Sequence, residues 1–448
     1  MEKNLTTGSV FKTVVYFSLP YLLSYFLQTL YGMADLFIVG QFNGVDSITA
    51  VSVASQVMHM ITVMIVGLAM GATVLIGRAV GAGKHEEASS AIGNTITLFM
   101  SLSVIIMIVL LMAVNPIAAM MLTPPEAFSE TVTYLTICII GIPFITGYNI
   151  ISSIFRGIGD SKSPMYFIAI ACAANIVLDY IFIGVFKLGA AGAALGTALS
   201  QTISVIVSLI FIRKRKIGFS LSLKDLKPQA AVMHNLLKVG IPVALQDGFI
   251  QISFIIITVI ANNRGLNDAA AVGIVEKIIG ILFLVPSSML STVSVLSAQN
   301  AGAGKHDRAR QTLWIGILIS ITFGTISAVI MQFFAGSVIG VFTDNSKVIL
   351  LGGQYMSSYV WDCIFAGIHF CFSGYFCAYG LSGISFIHNS ISIICARIPL
   401  AYLASIYFAD TLFPMGIAAP VGSVLSVIIC ISVFFWLSKH PGKLHGSI

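Results

Sequence analysis

Charge is what this chain has least of. Asp, Glu, Lys and Arg make up only 9% of its 448 residues, against about 25% in an ordinary soluble domain. So few charges cannot clothe a water-exposed surface of that size, and a water-soluble fold is excluded. Cysteine pairing is missing too: the seven Cys, at 138, 172, 363, 371, 377, 395 and 430, form no Cys-x-x-Cys pair and read as small packing residues. The start, Met1 to Phe11, lacks the short apolar core and cleavage site of a secretory signal, so the first apolar run is expected to be retained. A nucleotide loop is absent although Gly-x-Gly-Lys occurs twice. Arg78 and Gln299 stand where a Walker loop needs its first Gly, and His85 and His306 follow the Lys. No ATP site is therefore expected. His59, His369 and His388 show no His-Glu-x-x-His spacing, and no nucleophile and base are arranged for hydrolysis, so an enzyme is not expected. The net charge of +6 does not point to nucleic acid, because the basic residues sit in short gaps between apolar runs.

What the chain has instead is apolar length. Hydrophobic residues are 57% of the total and mean hydropathy is +0.99. Twelve runs can be read, at about 14–39, 48–77, 89–113, 131–154, 164–186, 190–212, 234–261, 269–298, 312–334, 352–377, 385–408 and 414–437. With the N-terminus in the cytoplasm, 18 basic residues fall on that side and only Lys187, Arg264 and Lys347 on the other, while Lys277 and Arg397 lie inside runs. This asymmetry predicts cytoplasmic termini in a plasma membrane. The chain also repeats. Gly81-Ala-Gly-Lys-His-Glu-Glu-Ala88 returns as Gly302-Ala-Gly-Lys-His-Asp-Arg-Ala309, and Ser18-Leu-Pro20 as Gly240-Ile-Pro242. The repeat predicts an all-α polytopic membrane protein of twelve transmembrane helices in two six-helix lobes. Six is even, so the lobes are expected to be related by a pseudo-two-fold along the membrane normal, an architecture suited to alternating access. The expected division is an N-lobe over 1–212, a cytoplasmic linker over 213–233 that opens on Arg-Lys-Arg-Lys, and a C-lobe over 234–448. That basic run is expected to anchor at anionic headgroups of the bilayer.

Acidic residues inside apolar runs are the functional signal, because a carboxylate at a bilayer centre costs a few kcal/mol and survives only where it meets a cavity, a partner or an ion. Five qualify: Asp35, Asp179, Asp247, Glu276 and Asp362. Asp35 and Asp179 both fall in the outer halves of their spans, as does Thr197. Asn175 lies one helical turn before Asp179, on the same face. Two carboxylates, a carboxamide and a hydroxyl suit a hard cation such as Na⁺, or a proton held between two acids that repel. Inter-helical hydrogen bonding is the plain alternative for Asn175 and Asp179. Pro20 removes a backbone bond from the first helix and permits a bend there, as a hinge or as a passive kink. In the second half Asp247, Glu276 and Asp362 accompany Arg397, either as neutralising pairs such as Arg397 with Asp362 or as a substrate or ion site. Some of the 30 Phe, 14 Tyr and 17 Met are expected to line a cleft that takes flat organic cations.

Taken in order, Ser18-Leu-Pro20, Asp35-Leu-Phe-Ile-Val-Gly40, the two Gly-Ala-Gly-Lys turns, Arg156-Gly-Ile-Gly-Asp160-Ser-Lys and Asn175-x-x-x-Asp179 followed by Gly196-Thr197 resemble the multidrug and toxic compound extrusion (MATE) family of bacterial type. The resemblance covers essentially the whole chain. It implies cation-coupled drug export by rocking of two lobes, with Asp35, Asn175, Asp179 and Thr197 matching the family's N-lobe cation site, Tyr134 a looser match and Pro20 the bend of the first span. Some branches carry a C-lobe Glu near the middle of span 7; here Gln251 is close to that place and Asp247 one turn earlier. The expected function is thus a secondary antiporter, working as a monomer without cofactor, that exports amphipathic organic cations in exchange for H⁺ or Na⁺. A flippase for a lipid-linked saccharide, which would be expected to carry more basic residues in its cavity, is the main rival. An intramembrane enzyme is a remote one.

Overall fold

A computed structural model describes residues 5–214, 222–440 and 442. Lys3, Arg215, Lys216 and Lys443, which enter the expected charge asymmetry, and part of the Arg-Lys-Arg-Lys run lie outside the described residues. Every regular element among the described residues is helical. In chain order they are α1 (Val10–Phe42), α2 (Val45–Gly81), α3 (His85–Met112), α4 (Val114–Met120), α5 (Pro125–Ile140), α6 (Ile142–Gly157), α7 (Lys162–Asp179) and α8 (Gly189–Lys214) in the first half. The second half holds α9 (Ala230–Arg264), α10 (Leu266–Leu282), α11 (Leu284–Gly302), α12 (His306–Gly340), α13 (Ser346–Tyr359), α14 (Asp362–Ala378), α15 (Ser382–Ser392), α16 (Ile398–Tyr407) and α17 (Phe413–Lys439). Ten stretches are long and apolar enough to cross a membrane, and two more crossings are pairs bent in the middle, α5 with α6 by 46° and α13 with α14 by 41°. Twelve crossings result. Large apolar side chains such as Phe37, Ile105, Ile206, Phe333, Tyr402 and Phe435 are exposed, which in lipid costs nothing.

The breaks follow from the residues at them. Gly141 and Pro143 separate α5 from α6, where the ring of Pro143 fits the first turn of a new helix and not the interior of an old one. The two Gly-Ala-Gly-Lys turns close helices α2 and α11 in the same way. Gly83 and Gly304 take φ of +70° and +72°, a left-handed conformation that only glycine adopts cheaply. The following Lys84 and Lys305 then return their backbone N–H groups to Ala79 and Asn300. After α6, the Asp160 carboxylate accepts the backbone N–H groups of Lys162 and Ser163 at 3.0 and 3.1 Å, starting α7. The Arg156–Lys162 motif is therefore a helix stop and start. Two stretches wind more loosely, as π-helix: Tyr180–Val185, directly after Asp179, and Ile393–Arg397, ending on Arg397. Such bulges gather at functional sites. At Pro20, by contrast, α1 is helical throughout.

The chain divides into two compact units, and the dividing points fall inside helices α1 and α9. One unit comprises Leu23–Gly240, the other Leu5–Leu22 together with the chain from Ile241 onward. Pure sequence halves, by comparison, would divide between 212 and 234. In the first unit the start of α9 packs on α2, with Gly71 set against the backbone of Leu236 and Gly240 against that of Leu68. Residues just before it dock on α3: Thr97 Oγ1 donates to the Leu226 carbonyl at 2.8 Å, and Asn94 accepts from the Gln229 N–H at 2.7 Å. In the second unit the corresponding job is done for α1. Arg308 donates to the carbonyls of Thr7 and Gly8 at 2.8 and 2.7 Å, and Lys305 to that of Thr6 at 2.8 Å. Each unit has its own apolar core, built on Ala54, Leu135, Ile139 and Ala193 in the first and on Val275, Met356, Tyr359 and Ala401 in the second. Six of the seven Cys are buried among these helices and Cys395 is exposed.

Candidate functional site

Four helices of the first unit converge on one buried polar cluster. Helix α1 carries Asp35 seven residues before its end at Phe42, about 10 Å along the axis. Helix α7 carries Asn175 and Asp179 one turn apart, the latter as its last residue. Thr197 comes from α8 and Tyr134 from α5. All five side chains are buried, Asn175 and Asp179 completely. Thr197 Oγ1 donates to Asp35 Oδ2 at 3.1 Å, and Asn175 Nδ2 to Asp179 Oδ1 at 3.5 Å. Asp35 and Asp179 interact electrostatically with each other, and Asp35 with Asn175. The structure thus brings together every first-half residue that the sequence singled out for cation binding.

Space for this cluster is made by a glycine. A Cβ at Gly196 would strike Asp179 Oδ1 and reach Asn175 Nδ2 at 3.5 Å, so α8 can lie this close to the acid only with no side chain there. Two neighbours were not foreseen. Tyr31, one turn before Asp35 on α1, interacts electrostatically with Asp35, and Cys138, one turn after Tyr134 on α5, donates to the Ala194 carbonyl at 4.0 Å while lying in the field of Asp35. The four-residue spacing was the signal available in the sequence. Chemically the cluster is all oxygen apart from one amide and one thiol. Three of its oxygens, Asp35 Oδ1, Asn175 Oδ1 and Asp179 Oδ2, are buried with no hydrogen-bond donor. Buried acceptors left in that state are costly unless a cation or proton meets them. Among the described residues no three His, Cys, Asp or Glu side chains form a transition-metal site. The set fits a hard monovalent cation or a proton.

The second unit separates the five residues expected there. Glu276 on α10, Asp362 at the first position of α14 and Arg397 on the loosened turn before α16 interact electrostatically. Asp247 on α9 instead interacts with Cys377 on α14, apart from these three. Gln251, one turn further along α9, is half-buried. Arg397 and Asp362 interact through their charges without direct contact: no ion pair within 4 Å joins them among the described residues. Arg397 Nη2 donates to the Tyr359 hydroxyl at 2.5 Å, and its guanidinium lies over the Phe254 ring at 4.6 Å. Glu276 accepts from Thr258 Oγ1 at 3.1 Å. Asp362 gains from its place at the start of a helix, where unpaired N–H groups favour a negative charge. His369 and His388 are not solitary either; their rings lie 5.5 Å apart, and His388 is held between Ser373 and Ser426 at 3.0 and 3.2 Å. Residues 15 to 143 positions apart share these clusters, which no local pattern reveals.

Comparison with known proteins places this geometry. The family model described as MatE matches the chain twice, over residues 20–181 and 242–403. The chain is 25% identical to the "Probable multidrug resistance protein YoeA" of Bacillus subtilis over 97% of its own length and 96% of that protein's. It is 29% identical to the "Probable multidrug resistance protein YpnP" of the same organism over 92% and 93%. Among solved structures, a crystal structure of MATE in complex with MaL6 superposes with a TM-score of 0.90 at 23% identity, covering 98% of both chains. That likeness establishes the fold, and the doubled match, spanning well over half the chain, establishes the lineage: this multi-pass membrane protein belongs to the MatE family.

Proposed function

We propose that the protein is a secondary exporter of amphipathic organic cations, coupled to inward H⁺ or Na⁺ across the plasma membrane, with cytoplasmic termini and alternating access. The observation that carries this reading is the Asp35–Asp179 cluster with its three donorless oxygens. Two acids facing each other in a dry site repel unless a proton or a small cation stands between them. Binding that ion removes the repulsion and draws α1 and α7 together; releasing it restores the repulsion. An ion moves cargo only if it binds one conformation more tightly than another, and a tenfold preference corresponds to about 1.4 kcal/mol. A pair of mutually repelling acids is a means to such a preference. Relatives named as multidrug resistance proteins support the cargo class, and Pro20 in α1 supports a helix able to bend in response.

The test is efflux of a fluorescent organic cation from proteoliposomes, with a pH gradient and a Na⁺ gradient imposed separately. Asp35→Asn and Asp179→Asn are each expected to reduce gradient-driven efflux at least tenfold while the protein remains monodisperse. Undiminished efflux in both variants overturns the reading. The gradient that drives wild-type efflux identifies the ion.

A further inference from the structure

The two family matches begin and end 222 residues apart, and at that offset the helix that carries Asn175 and Asp179 has a legible echo. Asn175-Ile-Val-Leu-Asp-Tyr-Ile181 corresponds to Arg397-Ile-Pro-Leu-Ala-Tyr-Leu403, with Ile, Leu and Tyr retained in place. Both stretches adjoin a loosened helical turn, after Asp179 in one and ending on Arg397 in the other. The acids of the first-half cluster are lost in the echo: Ala401 stands for Asp179 and Ile257 for Asp35, and both are buried in the apolar core of the second unit. What replaces Asn175 is a guanidinium. Two carboxylates have been supplied from other helices, Glu276 from α10 and Asp362 from α14, and each retains one buried oxygen without a hydrogen-bond donor. The remaining groups around Arg397 are the hydroxyls of Tyr355 and Tyr359 and the ring of His369.

We propose that Arg397 is a tethered cation: it stands in the second unit where the first unit loads a mobile one, and so restricts ion coupling to a single site per chain. The inference rests on the coupling role proposed for Asp35 and Asp179. Its physical basis is that a guanidinium is charged at every working pH. A group that is always charged and covalently attached neutralises the carboxylates near it in every conformation, so it cannot dissociate and carries no ion across. The aromatic face of Phe254 and the Tyr359 hydroxyl hold it in place without consuming the carboxylate oxygens. Arg397 is in these terms a positioning and stoichiometry-determining residue, not a substrate ligand.

Ion binding to the purified full-length protein tests this, read as ²²Na⁺ bound per chain and as protons bound per chain by potentiometric titration. Wild type is expected to bind one coupling ion, and the double variant Asp35→Asn, Asp179→Asn none. Adding Arg397→Gln to the double variant is expected to restore one ion per chain, and further addition of Glu276→Gln and Asp362→Asn to abolish it again. Arg397→Lys, which keeps the charge, is expected to restore nothing. If Arg397→Gln does not yield folded protein, Arg397→Met with Glu276→Gln leaves a single carboxylate and makes the same prediction. A folded, neutralised Arg397 variant that gains no ion overturns the tethered-cation inference, as does a double variant that already binds one at Glu276 and Asp362. An ion count in the double variant equal to wild type, insensitive to Glu276 and Asp362, overturns the coupling role of the first-unit acids instead.

Discussion

Gly196 shows how much a single absent side chain can decide. Thr197 beside it donates a hydrogen bond to Asp35, yet it is the missing Cβ that lets Asp179 lie against α8. Because the obstructing atom belongs to the end of a side chain and not to backbone, Gly196→Ala is expected to fold and to turn the Asp179 carboxyl aside. One rotated ligand is worth about 1.4 kcal/mol, a tenfold change in binding. Gly196→Ala should therefore weaken apparent ion affinity in efflux assays roughly tenfold with little change in thermal stability; wild-type affinity in that variant would contradict the geometry. Asp35, Asn175, Asp179 and Thr197 were legible in the sequence because polar groups in apolar helices are conspicuous. Gly196 lay inside a motif as an unremarked neighbour, since a glycine leaves no chemical trace of what it makes room for.

At the scale of elements, the repeated turns are a case of one local structure put to two uses. Gly-Ala-Gly-Lys-His closes α2 and α11 alike, but Glu87 in the first copy pairs with Lys84 at the surface at 2.8 Å. Arg308, at the equivalent place in the second, clasps the carbonyls of residues 7 and 8. Hydrogen bonds to a charged group are worth about 1.5–3 kcal/mol. Arg308→Ala is accordingly expected to raise amide hydrogen exchange over residues 7–14 at least tenfold while leaving α14 and α17 protected. Unchanged exchange there would show that the clasp adds nothing. The stops and starts themselves were predictable, since glycine in a left-handed turn and Asp160 ahead of α7 are local effects. That α1 divides between two units at Leu22 was not, because the contacts responsible join residues about 300 positions apart.

For the whole molecule, the charge asymmetry and the twelve crossings make a joint prediction. Lys187 lies in the connection after α7, and Lys162 begins that helix at its other end. A membrane-impermeant maleimide is expected to label Lys187→Cys from outside intact cells and Lys162→Cys only after permeabilisation, on a background without exposed Cys395. The reverse pattern would invert the topology and place Asp35 and Asp179 in the inner half of the membrane, away from the side from which the proposed ion enters.

Composition by itself determined the solvent of this protein, and periodicity and repetition determined its helices, their number and their doubling, because these depend on neighbours along the chain and on the absence of water in the bilayer core. Tertiary structure alone decided which acids meet. Asp35 and Asp179 face each other across 144 positions of sequence, whereas Asp247, which reads like Glu276 and Asp362 in one dimension, sits apart from them. Whether a buried carboxylate meets a cation, a hydroxyl or nothing is set by the packing of helices distant in sequence, and that packing is a property of the whole unit.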